Sequence, residues 1–589
     1  MRTYSLALPR RWRAGVIAVA IAAVVSVLVA MLGFGTRPAR ADLQNPRQDF
    51  LRAATSGLFL HWGMLSSPGF TSCTAWENAI KSGGWNAPYW VNEAQKLHAS
   101  YIVLATFHSK LGYGRAWPSN IPGSCSTKRD FLGELISVAH AKKIEIILYM
   151  TNDAQWHNLN GHEWFDSAAY SRFKGHSVNL DTQAGFGEFS YDNFFDVMKS
   201  HPDLDGFWID NDNAYWESHN LYAQIYKLHP NMTISNNNED TPIMDMISNE
   251  QKTGMTPAYD MPQAYFTAQP RLTEADYKLP DSGPWWFGGG NPPVNRSLNI
   301  GRYVANAGSS VKSLMAETAM VNGKFPGNQA DFNNFFNGYV SPIWESVHGV
   351  EGGGFMYGGM PGGNFGSGGY GYTTISKTDP NTQYIHVVTR PSGGTIRLRD
   401  SGYRVAKVTN LRSGASVSFS QGNGFLTLTG ISGWDQFDTV FKVQMSGRVG
   451  IVSGVTAAAS SSAGGHGAGA LVDRSYLNFW QSGSVPVTIT LDQGSAKQVA
   501  YLAINQREDS ITQTASSSRR IHAFTIQTSS NGSTWSTLKS GNLPNARGAQ
   551  FIDIGASARF IRLVVNSMYS SSKTLRIDEL WLGSAYAEP

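Results

Sequence analysis

The sequence predicts a multidomain protein in which a (β/α)8-like barrel precedes two β-sandwiches. The chain has 589 residues, more than one hydrophobic core accommodates, so two or three domains are expected. Apolar, strand-like runs alternate with helical patterns over roughly the first 350 residues, as they do in parallel α/β folds. Beyond that point short alternating runs continue without helical patterns, which is typical of antiparallel sandwiches.

Residues 1–41 have the features of a secretory signal peptide. Basic residues near the start precede an apolar run from about Gly15 to Phe34, and residues 39–41 offer an A-x-A cleavage site before Asp42. We therefore expect the protein to be secreted, with no stable membrane insertion after the signal is removed. Because the apolar run approaches membrane-spanning length, an uncleaved anchor is the alternative.

The charge of the chain argues against nucleic acid as a partner. The formal net charge is +4, but residues 1–41 hold six arginines and no acidic residue, so the remainder has a net charge of −2. The chain contains 17 tryptophans, 24 tyrosines and 29 phenylalanines, which suits sugar binding and suits any β-rich secreted protein equally. The composition indicates no particular oligomeric state.

The two cysteines are Cys73 and Cys125. In an exported protein they can form a disulfide, and they can equally remain two free thiols. No Cys/His spacing resembles a zinc site, so the sequence predicts no cofactor for catalysis.

Residues 42–350 supply the elements of the predicted barrel. The strand candidates are Gly57–Trp62, Tyr101–Thr106, Ile144–Thr151 and Gly206–Asp210, with weaker ones at Met232–Ser235, Met244–Ser248, Trp285–Phe287 and Ser313–Ala316. The helical patterns between them are Ala87–His98, Arg129–Lys142, Phe186–Ser200, Leu221–His229 and Ala330–Val347. This alternation favours a barrel over a doubly wound sheet. A dinucleotide-binding fold is disfavoured because no G-x-G-x-x-G follows a strand.

In such a barrel, functional side chains follow the carboxyl ends of the strands. The clearest example is Leu204–Trp216, LDGFWIDNDNAYW, where the apolar run Gly206–Ile209 ends at the carboxylate of Asp210 and a polar turn follows. A strand end with a turn-forming aspartate is the alternative. The other candidates at predicted strand ends are His61, Trp62, His108, Asp153, Trp156, His157, Glu250, Trp285 and Trp286.

Asp210 and Glu250 form a candidate pair of catalytic carboxyl groups. Glycoside hydrolysis needs two such groups beside the scissile bond. One attacks the anomeric carbon or activates water, and the other protonates the leaving oxygen. By spacing alone, Glu250 is better interpreted as a solvated loop acid. The competing acids are Glu239, Asp240, Asp260 and Glu317.

The two remaining domains are predicted at residues 351–446 and 447–589. The first follows a glycine-rich stretch, Gly352–Gly371, and holds four short strand candidates: Tyr384–Thr389, Thr395–Leu398, Val417–Phe419 and Phe425–Thr429. The second holds five: Val485–Leu491, Val499–Ile504, Ala523–Thr528, Gln550–Ile554 and Phe560–Val565. A Ser/Ala/Gly-rich segment, Val452–Gly469, lies between them as a linker or a first loop.

Five segments resemble glycoside hydrolase family 29, the α-L-fucosidases. They are LFLHWGMLSSPG, YIVLATFHSKLGYGRAWPS, LDGFWIDNDNAYW, ISNEQKTGMTP and SLMAETAMVNGKFP. The resemblance covers about residues 45–445. It implies that Asp210 is the nucleophile. The N-E segment resembles the branch of the family that prefers branched α-1,3/4 linkages, which implies Glu250 as the acid/base.

The same resemblance implies further roles for this chain's residues. His61, Trp62 and His108 would bind fucose hydroxyls, and Trp285 or Trp286 would pack near the methyl face of the sugar. Imidazoles that donate and accept suit a vicinal diol, and indoles cover apolar sugar faces. Two departures from the family pattern stand out. The second-strand loop has one histidine, His108, where the family has two, and Glu317 replaces the usual asparagine.

The C-terminal domain resembles the coagulation factor 5/8 C-type, or discoidin, domain and carbohydrate-binding modules of family 32. The matching segments are LVDRSYLNFWQSG, VTITLDQGSAKQVAYLAI, FTIQTSSNGSTWSTL, FIRLVVNS and RIDELWL. Function varies within this fold, from glycans to lipid surfaces. The resemblance implies a structural Ca²⁺ that Asp473 and Glu579 would hold; two ordinary surface carboxylates are the alternative.

The sequence thus predicts a secreted, exo-acting, retaining glycoside hydrolase that releases terminal α-L-fucose from glycans. One alternative is a non-catalytic, lectin-like protein on the same scaffold, which the altered His108 loop favours. Another is a related glycosidase acting on a different sugar, such as α-L-galactose.

Overall fold

The computed structural model describes most of the chain after residue 45. The described ranges are 46–152, 165–237, 244–251, 272–308, 311–352, 371–379, 381–399, 403–422, 425–448, 452–473, 479–506, 520–543, 550–571 and 574–584. The predicted signal peptide lies outside them, as do the candidates Asp153, Trp156, His157, Glu239, Asp240 and Asp260.

Eight parallel strands close into a barrel in sequence order, and β1 pairs with both β2 and β8. The strands are β1 (Ser56–His61), β2 (Ala99–Ala105), β3 (Glu145–Thr151), β4 (Gly206–Asp210), β5 (Thr233–Asn237), β6 (Met246–Gln251), β7 (Leu272–Lys278) and β8 (Lys312–Glu317). The predicted (β/α)8-like barrel is therefore confirmed.

The α-helices of this part begin with α1, which precedes the first strand, and the others connect the strands. They are α1 (Asp49–Ala53), α2 (Cys73–Ser82), α3 (Ala87–Lys96), α4 (Phe131–His140), α5 (Ser167–Lys174), α6 (Gln183–Ser200), α7 (Ala214–Ser218), α8 (Leu221–Leu228), α9 (Arg296–Ala307) and α10 (Gly327–Val340). A 3₁₀ helix, Ser341–Ser346, follows α10, where the sequence predicted one helix to Val347.

Side chains along each barrel strand alternate between two layers, because successive side chains of a strand point to opposite faces. Phe59 of β1 packs in the barrel interior with Tyr149 of β3 and Trp208 of β4. Leu58 and Leu60 instead pack outward, in the core shared with the helices. This alternation decides which side chains reach the mouth of the barrel.

The seventh strand differs from the prediction. It is Leu272–Lys278, whereas the sequence favoured Trp285–Phe287, which lies in the loop after the strand. Glu274, Asp276 and Lys278 alternate along β7, so the strand lacks the apolar run by which the others were recognised.

Cys73 and Cys125 form a disulfide, with their Cα atoms 5.4 Å apart. The bond ties the start of α2 to the loop before α4. Of the two alternatives that the sequence left open, the structure shows the bonded one.

Two antiparallel sheets follow the barrel. The five-stranded sheet has the order β13-β16-β11-β10-β9, and the three-stranded sheet has the order β12-β15-β14. The strands are β9 (Val350–Gly352), β10 (Gly371–Ser376), β11 (Thr382–Val387), β12 (Ile396–Arg399), β13 (Tyr403–Asn410), β14 (Ser418–Gly422), β15 (Phe425–Thr429) and β16 (Thr439–Arg448). The predicted boundaries at 350/351 and 446/447 fall inside β9 and β16.

The C-terminal part forms a sheet of order β18-β23-β19-β22-β20-β21, with β17 paired to β19. Its strands are β17 (Thr456–Ala459), β18 (Trp480–Gln481), β19 (Val487–Gln506), β20 (Ala523–Ser529), β21 (Ser536–Asn542), β22 (Gln550–Val565) and β23 (Arg576–Gly583). Their apolar side chains enclose a separate core around Trp480, Ile504 and Leu563.

None of the helices within the described ranges combines the length and the hydropathy that crossing a bilayer requires.

Candidate active site

Polar side chains from most of the barrel strands lie at the carboxyl ends of those strands, on the interior face. They are His61 (β1), Tyr149 (β3), Asp210 (β4), Asn237 (β5), Glu250 (β6) and Lys278 (β7). Both carboxyl groups that the sequence singled out therefore lie at one mouth of the barrel.

Asp210 is held by hydrogen bonds to both of its carboxylate oxygens. The Tyr149 hydroxyl donates to Oδ2 at 2.5 Å, and the Asn237 amide donates to Oδ1 at 3.2 Å. The chain turns sharply at the next residue, Asn211, whose φ of 63° is left-handed, a conformation that asparagine tolerates well. Asp210 is half-buried, so its oriented carboxylate remains open to the barrel mouth.

Glu250 lies on the interior face of β6. Met246 of the same strand packs in the barrel interior, and the two-residue period of a strand places Ser248 and Glu250 on the same face. Glu250 is level with Asp276 of β7 in the parallel register and is half-buried. Burial raises the pKa of Asp276, and the charge of Glu250 raises it further. Burial lowers the pKa of Lys278, and the charge of Glu250 opposes that shift.

The rings of His61 and His108 pack edge to face, with their centroids 5.8 Å apart. Burial lowers the pKa of His61 well below its usual value, and the charges of His108 and Lys278 lower it further. Burial also lowers the pKa of His108 to about 4, although the Asp210 charge opposes the shift. Both rings are therefore neutral near pH 7, able to donate one hydrogen bond and accept another.

The contacts of His108 identify which of its two ring nitrogens accepts a hydrogen bond. Its Nδ1 accepts the backbone N–H of Lys110 at 3.0 Å, which leaves Nε2 as the protonated nitrogen of the neutral ring. The buried Nδ1 of His61 has no hydrogen-bond partner within the described ranges. This buried nitrogen at the barrel mouth is therefore suited to a hydrogen bond with a hydroxyl group of a bound ligand.

Aromatic rings line the same mouth. The Trp285 ring lies 5.6 Å from that of His61, and the Trp286 ring lies 5.7 Å from that of His108. Below them Tyr149 stacks on Trp208 at 5.5 Å. The two tryptophans of the loop after β7 are half-buried, so they present indole faces to the mouth.

Trp62 does not join this group, contrary to the prediction. It is fully buried on the outer side of the barrel, where its ring packs on Trp90 at 5.0 Å and on Trp85 at 5.9 Å. Its Nε1 donates to the carbonyl of Met320 at 3.0 Å. The reason is strand geometry: adjacent residues point to opposite faces, so His61 and Trp62 cannot both face the interior.

We expect Trp62→Ala to destabilise the barrel by about 3–5 kcal/mol, because it removes a large, fully buried side chain. The measurement is the free energy of unfolding in urea, followed through barrel tryptophan fluorescence. Trp286→Ala, which truncates a half-buried indole at the mouth, is the matched control and should change unfolding little. Unchanged unfolding with a raised KM would instead support a role for Trp62 in sugar binding.

Glu317 also points away from the mouth. Its neighbour Ala316 packs in the barrel interior, so Glu317 faces the helices, where it accepts from Asn333 at 3.1 Å. Burial raises the pKa of Glu317 well above its usual value. This departure from the family pattern therefore lies outside the mouth of the barrel, and Glu317 does not compete with Glu250 there.

Several residues of the mouth were missed in the sequence. Glu274, Asp276 and Lys278 are buried on the interior face of β7, and Tyr149 and Asn237 hold Asp210. A usable signal for β7 was the alternation in LTEADYK, with polar residues at every second position. This polar alternation does not match the apolar runs that are typical of the other barrel strands, so the sequence favoured Trp285–Phe287 instead.

The two residues predicted to bind Ca²⁺ differ in environment. Glu579 is buried in β23, and Asp473 is exposed just after a 3₁₀ helix, Ala468–Leu471. The calcium site stays a prediction. Elsewhere, His140, Glu145 and Asp205 place potential ligand atoms within 4.8 Å of one another, at the amino ends of β3 and β4.

Comparison with known proteins identifies two segments of the chain. Residues 74–265 match the family model described as Alpha-L-fucosidase, and residues 456–580 match the F5/8 type C domain. The tissue alpha-L-fucosidase of Macaca fascicularis is 26% identical over 31% of this chain and 44% of its own length. The chain thus spans about half the length of this relative. Both resemblances inferred from the sequence are confirmed.

Solved structures share the fold. Alpha-L-fucosidase isoenzyme 1 from Paenibacillus thiaminolyticus has a TM-score of 0.53 and 16% identity, covering 69% of this chain and 100% of its own. The alpha-L-fucosidase from Vibrio sp. strain EJY3 has a TM-score of 0.52 and 14% identity, covering 91% and 97%. A GH29 alpha-L-fucosidase from Bacteroides thetaiotaomicron, trapped as a covalent intermediate with 2-fluoro-fucosyl fluoride, has a TM-score of 0.51 and 19% identity, covering 69% and 97%.

Proposed function

We propose that this protein is a retaining glycoside hydrolase that releases terminal α-L-fucose from glycans. The observation that carries the proposal is the position of Asp210 and Glu250 on the interior face of the barrel, at the same mouth, beside neutral imidazoles and indole faces. Two carboxyl groups beside one substrate site are what glycoside hydrolysis requires. The match of residues 74–265 to the alpha-L-fucosidase family supports the choice of sugar.

In the proposed first step, an Asp210 oxygen forms a bond to the anomeric carbon while the glycosidic C–O bond breaks. Glu250 gives its proton to the departing oxygen, so the leaving group departs as an alcohol. In the second step, Glu250 takes a proton from water, and the resulting nucleophile displaces Asp210 and restores the carboxylate. The covalent intermediate trapped in the structurally similar Bacteroides fucosidase supports this double displacement.

The hydrogen bonds to Asp210 fit a nucleophile. Tyr149 and Asn237 each hold one oxygen, which orients the carboxylate and limits its rotation. His61 and His108, both neutral, would bind fucose hydroxyls. Trp285 and Trp286 would cover the methyl face of the sugar, where an indole packs well.

The F5/8 type C domain would hold the enzyme near glycans, and the preferred linkage would be α-1,3/4, as the N-E segment at Glu250 suggests. Export through residues 1–41 and a structural Ca²⁺ at Asp473 and Glu579 belong to the same proposal.

The test is hydrolysis by the purified protein of nitrophenyl α-L-fucoside, compared with nitrophenyl α-L-galactoside and a panel of aryl β-D-glycosides. Proton NMR of the first-formed sugar distinguishes retention from inversion, because retention releases the α-anomer first. Fucosylated oligosaccharides with α-1,2, α-1,3 and α-1,4 linkages then rank the linkages. Measurable fucose binding without turnover would favour the lectin-like alternative, and turnover of another glycoside alone would contradict the choice of fucose.

A further inference from the structure

Strands β6 and β7 bring three carboxyl groups together inside the barrel. In the parallel register Ser248 is level with Glu274, and Glu250 is level with Asp276. Glu274 and Asp276 are buried, with 0% and 2% of their surface exposed. Carboxyl groups buried this deeply must be stabilised by hydrogen bonds, by nearby positive charges or by protonation.

The hydrogen bonds show where a proton must be. The Ser248 Oγ lies 2.8 Å from Glu274 Oε1 and 3.0 Å from Asp276 Oδ1. A hydroxyl has one proton to donate, so it cannot donate to two carboxylates at once. If Ser248 donates to Glu274, the contact with Asp276 requires that the Asp276 carboxyl donate to Ser248.

Glu274 is the better candidate for the anion of the two. Besides Ser248, it accepts from the indole of Trp208 at 3.0 Å and from the hydroxyl of Tyr101. Burial raises the pKa of Glu274, but these three donors oppose that shift, so Asp276 rather than Glu274 is assigned the proton.

The remaining charges around Asp276 agree with this assignment. Burial raises the pKa of Asp276 well above its usual value, and the charges of Glu250 and Glu274 raise it further. Lys278, on the same face of β7, is the nearby cation; burial lowers its pKa and Glu250 opposes that shift. Arg302 of α9 donates to the Lys278 carbonyl at 3.3 Å. Asp210 of β4 and the neutral ring of His61 of β1 lie at the same mouth, where the Lys278 charge acts on His61.

We propose that Glu250 and Asp276 titrate as one pair that retains a single proton, held on Asp276 in the arrangement above and available to the acid/base Glu250, so that Asp276 is a positioning residue. The inference rests on the proposed function, which assigns the acid/base role to Glu250. Asp276 acts through Glu250, because only 2% of its surface is exposed whereas Glu250, level with it on β6, is half-buried.

A pair of this kind titrates in two steps. The first proton leaves at low pH, whereas the second is retained to higher pH because its loss would place two negative charges side by side. The pair therefore holds a proton at a pH where a lone glutamic acid has lost its own. Without the partner charge, Glu250 would lose its acid form at a lower pH.

The test is the pH profile of kcat/KM for Asp276→Asn on a fucoside with a poor leaving group. We expect the alkaline limb to move to lower pH by about one unit, so that activity above that limb falls about tenfold relative to the unchanged protein. Asp281→Asn is the matched control. It removes one exposed carboxylate from the loop after β7 and should leave the limb in place.

A second readout does not depend on turnover. Infrared difference spectroscopy detects the C=O stretch of protonated carboxyl groups. Beside the contribution of the buried Glu317, we expect a component of this band near neutral pH that Asp276→Asn removes. If Asp276→Asn does not fold, Glu250→Gln should move the titration of this band to lower pH. An unchanged limb in folded Asp276→Asn, or an unchanged band in either variant, would overturn the shared proton. Absence of fucoside turnover by the unchanged protein would contradict the proposed function, and the infrared band would still decide between a shared and an unshared proton.

Discussion

Asp210→Ala should lower kcat for nitrophenyl α-L-fucoside by on the order of 10³-fold or more, with the fold intact. The expected size follows from the proposed role, because removing a covalent nucleophile removes the first chemical step. The fold should survive, since Asp210 is half-buried at the barrel mouth and its partners Tyr149 and Asn237 reach it from neighbouring strands. The measurements are steady-state kinetics and circular dichroism on the same preparation.

Asp212→Asn is the matched control for this variant. Asp212 lies two residues away and accepts from the Tyr222 hydroxyl at 2.9 Å, away from the contacts that hold Asp210. Its kcat should stay within about tenfold of the unchanged protein. Near-normal kcat for Asp210→Ala would remove Asp210 as the nucleophile. Incubation with 2-fluoro-fucosyl fluoride and peptide mapping provides an independent check, since the covalent label should appear on Asp210.

Glu250→Ala should slow substrates with poor leaving groups by about 10²–10⁴-fold, the usual contribution of a general acid. Activated aryl fucosides need little protonation to depart, so their first step should be affected much less. The comparison of a natural-type oligosaccharide with a nitrophenyl fucoside measures this difference. Glu217→Ala, which removes an exposed glutamate from α7, is the control and should affect neither substrate.

Equal losses on both substrates would argue against an acid role for Glu250. Added azide extends the same experiment: an external nucleophile should accelerate the second step of Glu250→Ala without help from a general base. Failure of azide to increase the rate on the activated fucoside would count against a base role in deglycosylation.

The barrel could be predicted because its strands are mostly apolar runs at regular intervals. Leu58 and Leu60 pack outward while Phe59 packs inward, so both faces of β1 are apolar. The seventh strand was not predicted, because its interior face is polar and carries Glu274, Asp276 and Lys278. The apolar Trp285–Phe287 segment was predicted as the seventh strand instead, although it lies in a loop.

The C-terminal domain shows a related error. The sequence predicted two strands where β19 is one 20-residue strand, Val487–Gln506, whose pairing shifts between Asp492 and Lys497. The Asp-Gln-Gly-Ser segment there has the composition of a turn, and Gly494 has a φ of 76°. Local composition cannot distinguish a turn that reverses the chain from a bulge within a long strand, because the difference lies in the partner strand.

The sequence by itself determined the order of the domains, the family resemblances and the two candidate carboxyl groups. Asp210 and Glu250 were identifiable because each ends or follows an apolar run, and that information is local. The tertiary structure alone decided that His61 faces the mouth while Trp62 packs outward. It alone brought Ser248 beside Glu274 and Asp276, 26 and 28 residues further along the chain. Those contacts depend on strand register, which is set by the closure of the whole barrel.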